Sequence, residues 1–519
     1  MLKKTYPYLP TVFFLIGISF FCLRVLGFNF EFLPGDAGDA RFINFLMEHG
    51  YQWISGNVDD FWNAQFMFPF EDSIAFSDNM LGSMPIYSFF RVFGVQPETA
   101  FQLWWITVCS LNYWCAYIVL KKWFGRTDLA IAGALIFAFS IFQQGQMNYL
   151  QMSVRFMIPI VIYAAMKLVQ TGKPKYFAFY ALGIIYQLYC AMYLGMFLLY
   201  FSFGFMVLYV LFTKQYLFFL PLFKKENLIK TGAVLAVAIT FGMWLIIPYS
   251  KMAAFAGVPL YPDVVPYLPT VSTALNSHEA GWLMGNVEPS FHKIESFWLH
   301  RNFPGFLLLL ALLATPFILF EKWVRKANFS KELMAVALSA LIIVLLYLRT
   351  EDGFSLYKAV FKLPGMASIR VLNRFLHVEI FLLILVLLYL WNKIPKKYSY
   401  ILFVLIILDN GFNATDSLRL PKENIVKGRL HLENELNKNW KNHHKAFAVI
   451  DTVKAAPYVH VEAMMVSAKL QHPTVNGYSS GCPGGFGNYF SNANEQGAKE
   501  WMDINKLKEK DVLFIDLNK

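Results

Sequence analysis

Pro34-Gly35-Asp36-Ala37-Gly38-Asp39-Ala40-Arg41 follows an apolar run at 8–28 and opens an acidic loop that extends to residue 97. A run of that length crosses a hydrocarbon core roughly 30 Å thick, so the two aspartates stand at the mouth of a membrane helix. Carboxylates are costly to hold there and are usually kept for chemistry or transport. The loop also carries Glu31, Glu48, Asp59, Asp60, Glu71, Asp72 and Asp78, against only Arg41 and Arg91. The formal net charge is nevertheless +11, so the cations lie elsewhere.

Composition sets the class: 57% of residues are hydrophobic and 18% aromatic, far from the average of soluble domains. About eleven apolar runs are long enough to span. They are 8–28, 98–120, 129–146, 155–170, 176–192, 193–213, 230–250, 303–321, 332–349, 374–391 and 398–411, with Gly195 either in a turn or inside a helix. Basic residues fill every second loop. Lys3 and Lys4 come first, then Lys121, Lys122 and Arg126, then Lys173 and Lys175, then Lys214, Lys224, Lys225 and Lys230. Lys322, Arg325, Lys326 and Lys331 follow, and Lys393, Lys396 and Lys397 end the series. The positive-inside rule puts those loops and the N-terminus in the cytoplasm. The acidic loop, the 251–302 and 350–373 loops and the C-terminal tail then fall outside. The basic balance reports topology and not nucleic-acid binding.

The first run is too long for a signal-peptide core and no small-x-small cleavage site follows it, which reads as an uncleaved anchor. Four cysteines (Cys22, Cys109, Cys115, Cys190) lie inside spans and Cys482 is alone outside, so neither a disulfide framework nor a Cys/His metal spacing is implied. The expected architecture is an α-helical polytopic membrane bundle over 1–411, with its first outer loop at 29–97, and a small extracytoplasmic α/β domain over 412–519. In the loop, Ala40–Trp53 has the spacing of a helix lying along the interface, and Phe61–Phe70 is aromatic enough to rest on headgroups. In the tail, Ala446–Asp451 and Asp511–Leu517 read as short buried strands, with helices near 429–442, 458–470 and 494–507. Between them, the glycine-rich stretch from Asn476 to Gly487 lacks the glycine order of a phosphate loop. It marks backbone that comes close to a substrate or to the bundle surface.

Asp36 and Asp39 are three residues apart and share a face if this segment turns helically. A carboxylate here suits a general base toward a hydroxyl, and its oxygens also suit a divalent cation. The competing roles are an Asp-Gly turn for Asp36 and a helix N-cap for Asp39. Asp78, in Ser77-Asp78-Asn79, joins them from the far end of the loop. Arg370, Arg374 and His377 follow a helical spacing at the start of the tenth run and share one face. Paired guanidiniums grip a phosphate or pyrophosphate, or else snorkel to headgroups. Arg155, after Asn148-Tyr149-Leu150-Gln151, is a weaker candidate of the same kind. His278 and Glu279, with His292, His300 and Arg301, decorate the 251–302 loop, and Asn476 and Tyr478 open the glycine-rich stretch. An acidic wall opposite a cationic one suits a displacement on a lipid-linked sugar. The carboxylate takes the acceptor's proton while the arginines hold the departing phosphate.

These features resemble the GT-C superfamily of polytopic membrane glycosyltransferases, closest to its poorly characterised bacterial members. The resemblance is carried by the long first outer loop with its early Asp, the span number and the outer C-terminal domain. The segments behind it are Gly35-Asp36-Ala37-Gly38-Asp39-Ala40-Arg41-Phe42, Phe76-Ser77-Asp78-Asn79, Leu363-Pro364-Gly365-Met366-Ala367-Ser368-Ile369-Arg370 and Asn476-Gly477-Tyr478-Ser479. It implies inverting transfer from a polyprenyl-phosphate sugar to a glycan, lipid or protein acceptor at the bacterial cytoplasmic membrane, with Asp39 matched to the first-loop base. The Trp-Trp-Asp signature of oligosaccharyltransferases is missing, since Trp104-Trp105 lies inside a span. The Asp-Glu pair of protein mannosyltransferases is also missing, so the acceptor stays open. The alternatives are a transporter or flippase for lipid-linked precursors, or a non-catalytic assembly protein of polysaccharide synthesis.

Overall fold

The computed structural model describes residues 7–518; Lys3 and Lys4 lie outside the described residues. A helix occupies each apolar run. Seven helices among the described residues are long and apolar enough to cross a membrane: Leu9–Leu26, Pro97–Phe124, Thr127–Gly145, Met192–Thr213, Lys225–Ala256, Phe306–Trp323 and Leu372–Trp391. The other runs give Met157–Thr171, Pro174–Cys190, Lys331–Tyr347 and Ser399–Asn410, of 15, 17, 17 and 12 residues. At the helical rise the last of these covers about 18 Å, well short of a core of roughly 30 Å.

Between the fifth and sixth runs the helix breaks at Ala191, and Gly195 lies inside the next helix. A Cβ added to Gly195 would come within 2.7 Å of the Leu188 backbone, so a bare Cα permits this tight reversal. Asp78 completes the junction from the first loop, accepting a hydrogen bond from the backbone N–H of Met192 at 2.6 Å.

The first loop differs from the expected interfacial lid. Its Asp39–Ile54 helix is buried on almost every face and packs against the Ala456–Leu470 helix of the C-terminal segment. The polar residues among its apolar ones have partners inside the protein, and so do not need water. Glu48 meets Arg91 at 2.7 Å and the Tyr87 hydroxyl at 2.6 Å, while the His49 ring hydrogen-bonds the Phe61 carbonyl at 2.7 Å. The aromatic run does not rest on headgroups either: Phe61, Trp62, Phe66 and Met67 are buried. Backbone pairing turns them inward. Thr474 N–H donates to the Gln65 carbonyl at 2.9 Å, and Met67 and Phe68 donate to Asn476 and Thr474 at 2.9 and 3.0 Å.

In the C-terminal segment, Ala446–Ile450 and Val512–Asp516 pair in parallel, with Ala446 opposite Val512. Helices Lys422–Asn439, Ala456–Leu470 and Glu495–Ile504 surround the pair, and a six-residue helix, Gly487–Asn492, is too short to show in periodicity. Arg419–Pro421 lies antiparallel to Phe32–Pro34, which ties this segment to the mouth of the first span. A buried ion network holds the seam. Arg41 bonds Glu462 at 2.7 Å and Glu98 at 2.8 Å; Arg429 bonds Glu98 at 3.1 Å and Glu433 at 2.5 Å; Lys469 reaches Glu433 at 2.6 Å.

Candidate functional site

The site begins at the turn before the Asp39–Ile54 helix. Gly35 has φ +83°, and a Cβ there would meet the Met147 carbonyl oxygen at 2.7 Å, so the chain can turn against its neighbour only as glycine. Asp36 then caps the helix, its Oδ1 accepting from the Ala40 N–H at 2.9 Å. That leaves Asp39, the first residue of the helix, without a capping duty, and its Oδ1 accepts from the Tyr478 hydroxyl at 2.9 Å. Tyr478 is held flat against the Phe490 ring, with centroids 5.7 Å apart. The glycine-rich stretch therefore closes on the first loop: Gly477 lies against Met67, Gly481 against Phe76, and the Ser480 hydroxyl donates to the Phe76 carbonyl at 2.9 Å.

Charge distribution shows what faces this corner. Burial raises the Asp39 carboxyl above its ordinary value, against the Tyr478 hydrogen bond and the positive charges of Arg374 and Arg370, which pull it down. Asp36 is pushed up to about 7, first by burial and then by the Asp39 charge beside it. Burial and the Asp39 charge likewise lift the Tyr149 phenol to about 12, with Arg374, Asp36 and Arg301 also acting on it. Asp78, raised by burial and lowered by its Met192 bond, also lies in the field of Arg374. Asp39 thus lies in the field of Arg370 and Arg374, Asp78 in that of Arg374, and Asp36 and Tyr149 beside Asp39, all at one corner.

The arginines reach it differently from the expected shared helical face. Arg370 precedes the helix in extended backbone and stands 5.8 Å from the Tyr267 ring centroid. The Arg374 guanidinium is clasped between Tyr149 at 4.7 Å and Tyr193 at 5.0 Å, and its buried Nε has no hydrogen-bond partner. Guanidinium stacked on rings keeps its charge while its in-plane N–H groups stay available to a ligand. A phosphate ester offers the acceptors such a group lacks.

The other expected residues have surroundings of their own. His377 is buried against Phe142 at 4.8 Å, with both ring nitrogens unpartnered. Arg155 lies deeper, its guanidinium 4.7 Å from the Phe137 ring and donating to the Phe137 carbonyl. His278 is turned to its own loop, where its Nδ1 accepts from Ala280 N–H at 3.0 Å; burial and the Arg301 charge drop it to about 3. Glu279 is exposed and accepts from Ser417 at 2.6 Å. The Asn476 amide is spent on strand Ala446–Ile450, bonding the Val449 N–H and carbonyl at 2.7 and 3.0 Å. Two carboxylates at Asp36 and Asp39 do not make a cation cage, and among the described residues no group of three or more His, Cys, Asp or Glu side chains could hold a metal ion.

Tyr149, Tyr193, Gln151 and Arg301 are at the site without having been singled out as its residues. Arg301 is anchored to Glu288 at 2.6 Å. A tyrosine that carries an arginine looks, in sequence, like any membrane-belt aromatic.

No family model matches this sequence, and no curated protein matches it. Structure reaches further. The apo oligosaccharyltransferase of Archaeoglobus fulgidus is similar over 98% of this chain and 69% of its own, with a TM-score of 0.51 at 12% identity. The chain shares the fold of that oligosaccharyltransferase. ArnT from Cupriavidus metallidurans, in its apo state, aligns over 90% of this chain and 84% of its own at 10% identity, with a TM-score of 0.31. At such identities likeness carries the architecture, and chemistry has to be argued from the side chains.

Proposed function

We propose that this chain is an integral-membrane glycosyltransferase. It moves a sugar from a polyprenyl-phosphate donor to a hydroxyl of an envelope glycan, lipid or protein on the outer face of the membrane. Asp39 is the general base. The acceptor oxygen attacks the anomeric carbon as its proton passes to the Asp39 carboxylate. The bond from that carbon to the phosphate oxygen breaks, its electron pair leaves with the lipid phosphate, and the configuration inverts. Arg374 and Arg370 stabilise the charge growing on the phosphate, and Tyr478 orients the base. The extracytoplasmic position of 412–519 follows from the loop-charge alternation and belongs to the same proposal.

The observation that carries this reading is the shared field: the Asp39 carboxyl feels both Arg374 and Arg370, while Arg374 keeps a buried N–H without a partner. A base and a leaving-group clamp at opposite ends of one breaking bond are what the displacement requires. The test is sugar transfer by the full chain in lipid vesicles supplied with polyprenyl-phosphate sugars. Wild type is expected to transfer from one of them and Asp39→Asn to transfer about 10²–10⁴-fold more slowly. Equal transfer by both removes the base assignment. Passage of the donor across the bilayer with no bond broken replaces the enzyme by a flippase.

A further inference from the structure

From the last turn of the Thr127–Gly145 helix to the start of Met157–Thr171 the chain stays buried or half-buried. This connector is rich in amides: Gln143, Gln144 and Gln146 are each 1% exposed and Gln151 is 7% exposed. Each keeps a buried amide atom without a hydrogen-bond partner: Oε1 of Gln143, Gln144 and Gln151, and Nε2 of Gln146. Two are clamped at their other end, Gln143 donating to Ser153 at 2.7 Å and Gln144 to the Asn410 carbonyl at 3.0 Å. Gln151 donates to the Asp78 carboxylate. Buried amide atoms left unbonded are costly, and proteins normally satisfy them.

Neighbours place this connector beside the corner of Asp39 and Arg374. Met147 presents its carbonyl to Gly35, next to Asp36, and Gly145 faces His278 and Arg301. Tyr149 supports Arg374. The connector therefore runs from the carboxylate wall to the guanidinium wall, where a sugar joined to a clamped phosphate would lie.

We infer that the Gln143–Gln151 connector is the subsite for the sugar ring itself, and that it takes an uncharged, hydroxylated hexose or pentose through side-chain amides. This rests on reading the corner of Asp39 and Arg374 as a lipid-phosphate sugar site. An amide offers a donor and an acceptor in fixed directions, and a sugar hydroxyl both gives and accepts. A carboxylated or aminated sugar would call for a facing ion pair, which amide side chains do not supply.

Binding of short-chain probes to the purified full-length protein tests it, using citronellyl phosphate and its hexosyl, pentosyl and hexuronosyl esters. One neutral ester is expected to bind wild type about tenfold or more tighter than citronellyl phosphate itself, as amide–hydroxyl bonds would give. Gln144→Met combined with Gln146→Met should abolish that advantage and leave the affinity for citronellyl phosphate unchanged. Equal binding of ester and bare phosphate by wild type overturns the inference and spares the phosphate reading. So does a double variant that keeps the advantage, or a preference for the hexuronosyl ester. If that variant does not fold, the wild-type ratio alone decides. If wild type binds no probe at all, the phosphate-sugar reading fails and the inference falls with it.

Discussion

Asp39 and Arg41 stand two residues apart on one helix, yet they belong to opposite kinds of buried charge. Around Arg41 the books balance: Arg41, Arg429 and Lys469 meet Glu98, Glu433 and Glu462 in bonds of 2.5–3.1 Å. Around Arg374 they do not, since the guanidinium lies between two tyrosine rings with Nε unbonded. Both clusters are sheltered from water. A closed set of ion pairs fixes how two parts of a chain sit together, whereas an open one waits for charge from outside.

That contrast breaks most readily at Asp39. Asp39→Asn should lower transfer by about 10²–10⁴-fold, the range of a lost general base, with thermal melting in detergent unchanged or slightly raised. Arg41→Met should do the reverse, costing about 3–5 kcal/mol of stability because it strands the Glu462 charge and leaves Glu98 to Arg429 alone. Transfer per folded molecule should persist, as measured by denaturant titration alongside activity. A stable but inactive Arg41→Met would erase the distinction between the clusters. Arg374→Ala should weaken donor binding by about 2–3 kcal/mol, as for a charge-assisted hydrogen bond; binding of citronellyl phosphate reads it out directly.

Smaller effects sharpen the contrast. Tyr478→Phe removes the hydrogen bond that lowers the Asp39 pKa, so the acidic limb of the pH–rate profile should move to higher pH with a loss of about 1 kcal/mol in transition-state binding. The Asp36 carboxyl, at about 7, holds a proton that the unfolded chain releases near pH ~4. Between those values the folded state binds more protons, so stability falls as pH rises through the window. Melting temperatures across it should decline in wild type and decline less steeply in Asp36→Asn, where the raised Asp39 and Asp78 carboxyls still contribute.

The membrane bundle was legible in the sequence because run length and loop charge are read residue by residue. Asp39 and Arg374 could be singled out for a related reason, since charge beside a span is scarce and needs a purpose. The burial of the Asp39–Ile54 helix could not be foreseen. Its spacing is amphipathic, and whether lipid or protein covers the apolar face depends on Glu98 and Glu462, which are 57 and 421 residues from Arg41. Arg370 and Arg374 keep the spacing of one helical face, but the helix starts after Arg370, and the tyrosines around them set their directions instead. The amide connector gave little signal, because a polar stretch between two apolar runs reads as an ordinary loop.

The Tyr478 hydroxyl meets Asp39 across 439 residues of chain. During synthesis the carboxylate emerges 439 residues ahead of its partner. A ribosome that stalls between them would leave membrane helices in place with the Asp39 carboxylate still waiting for the hydroxyl that holds it.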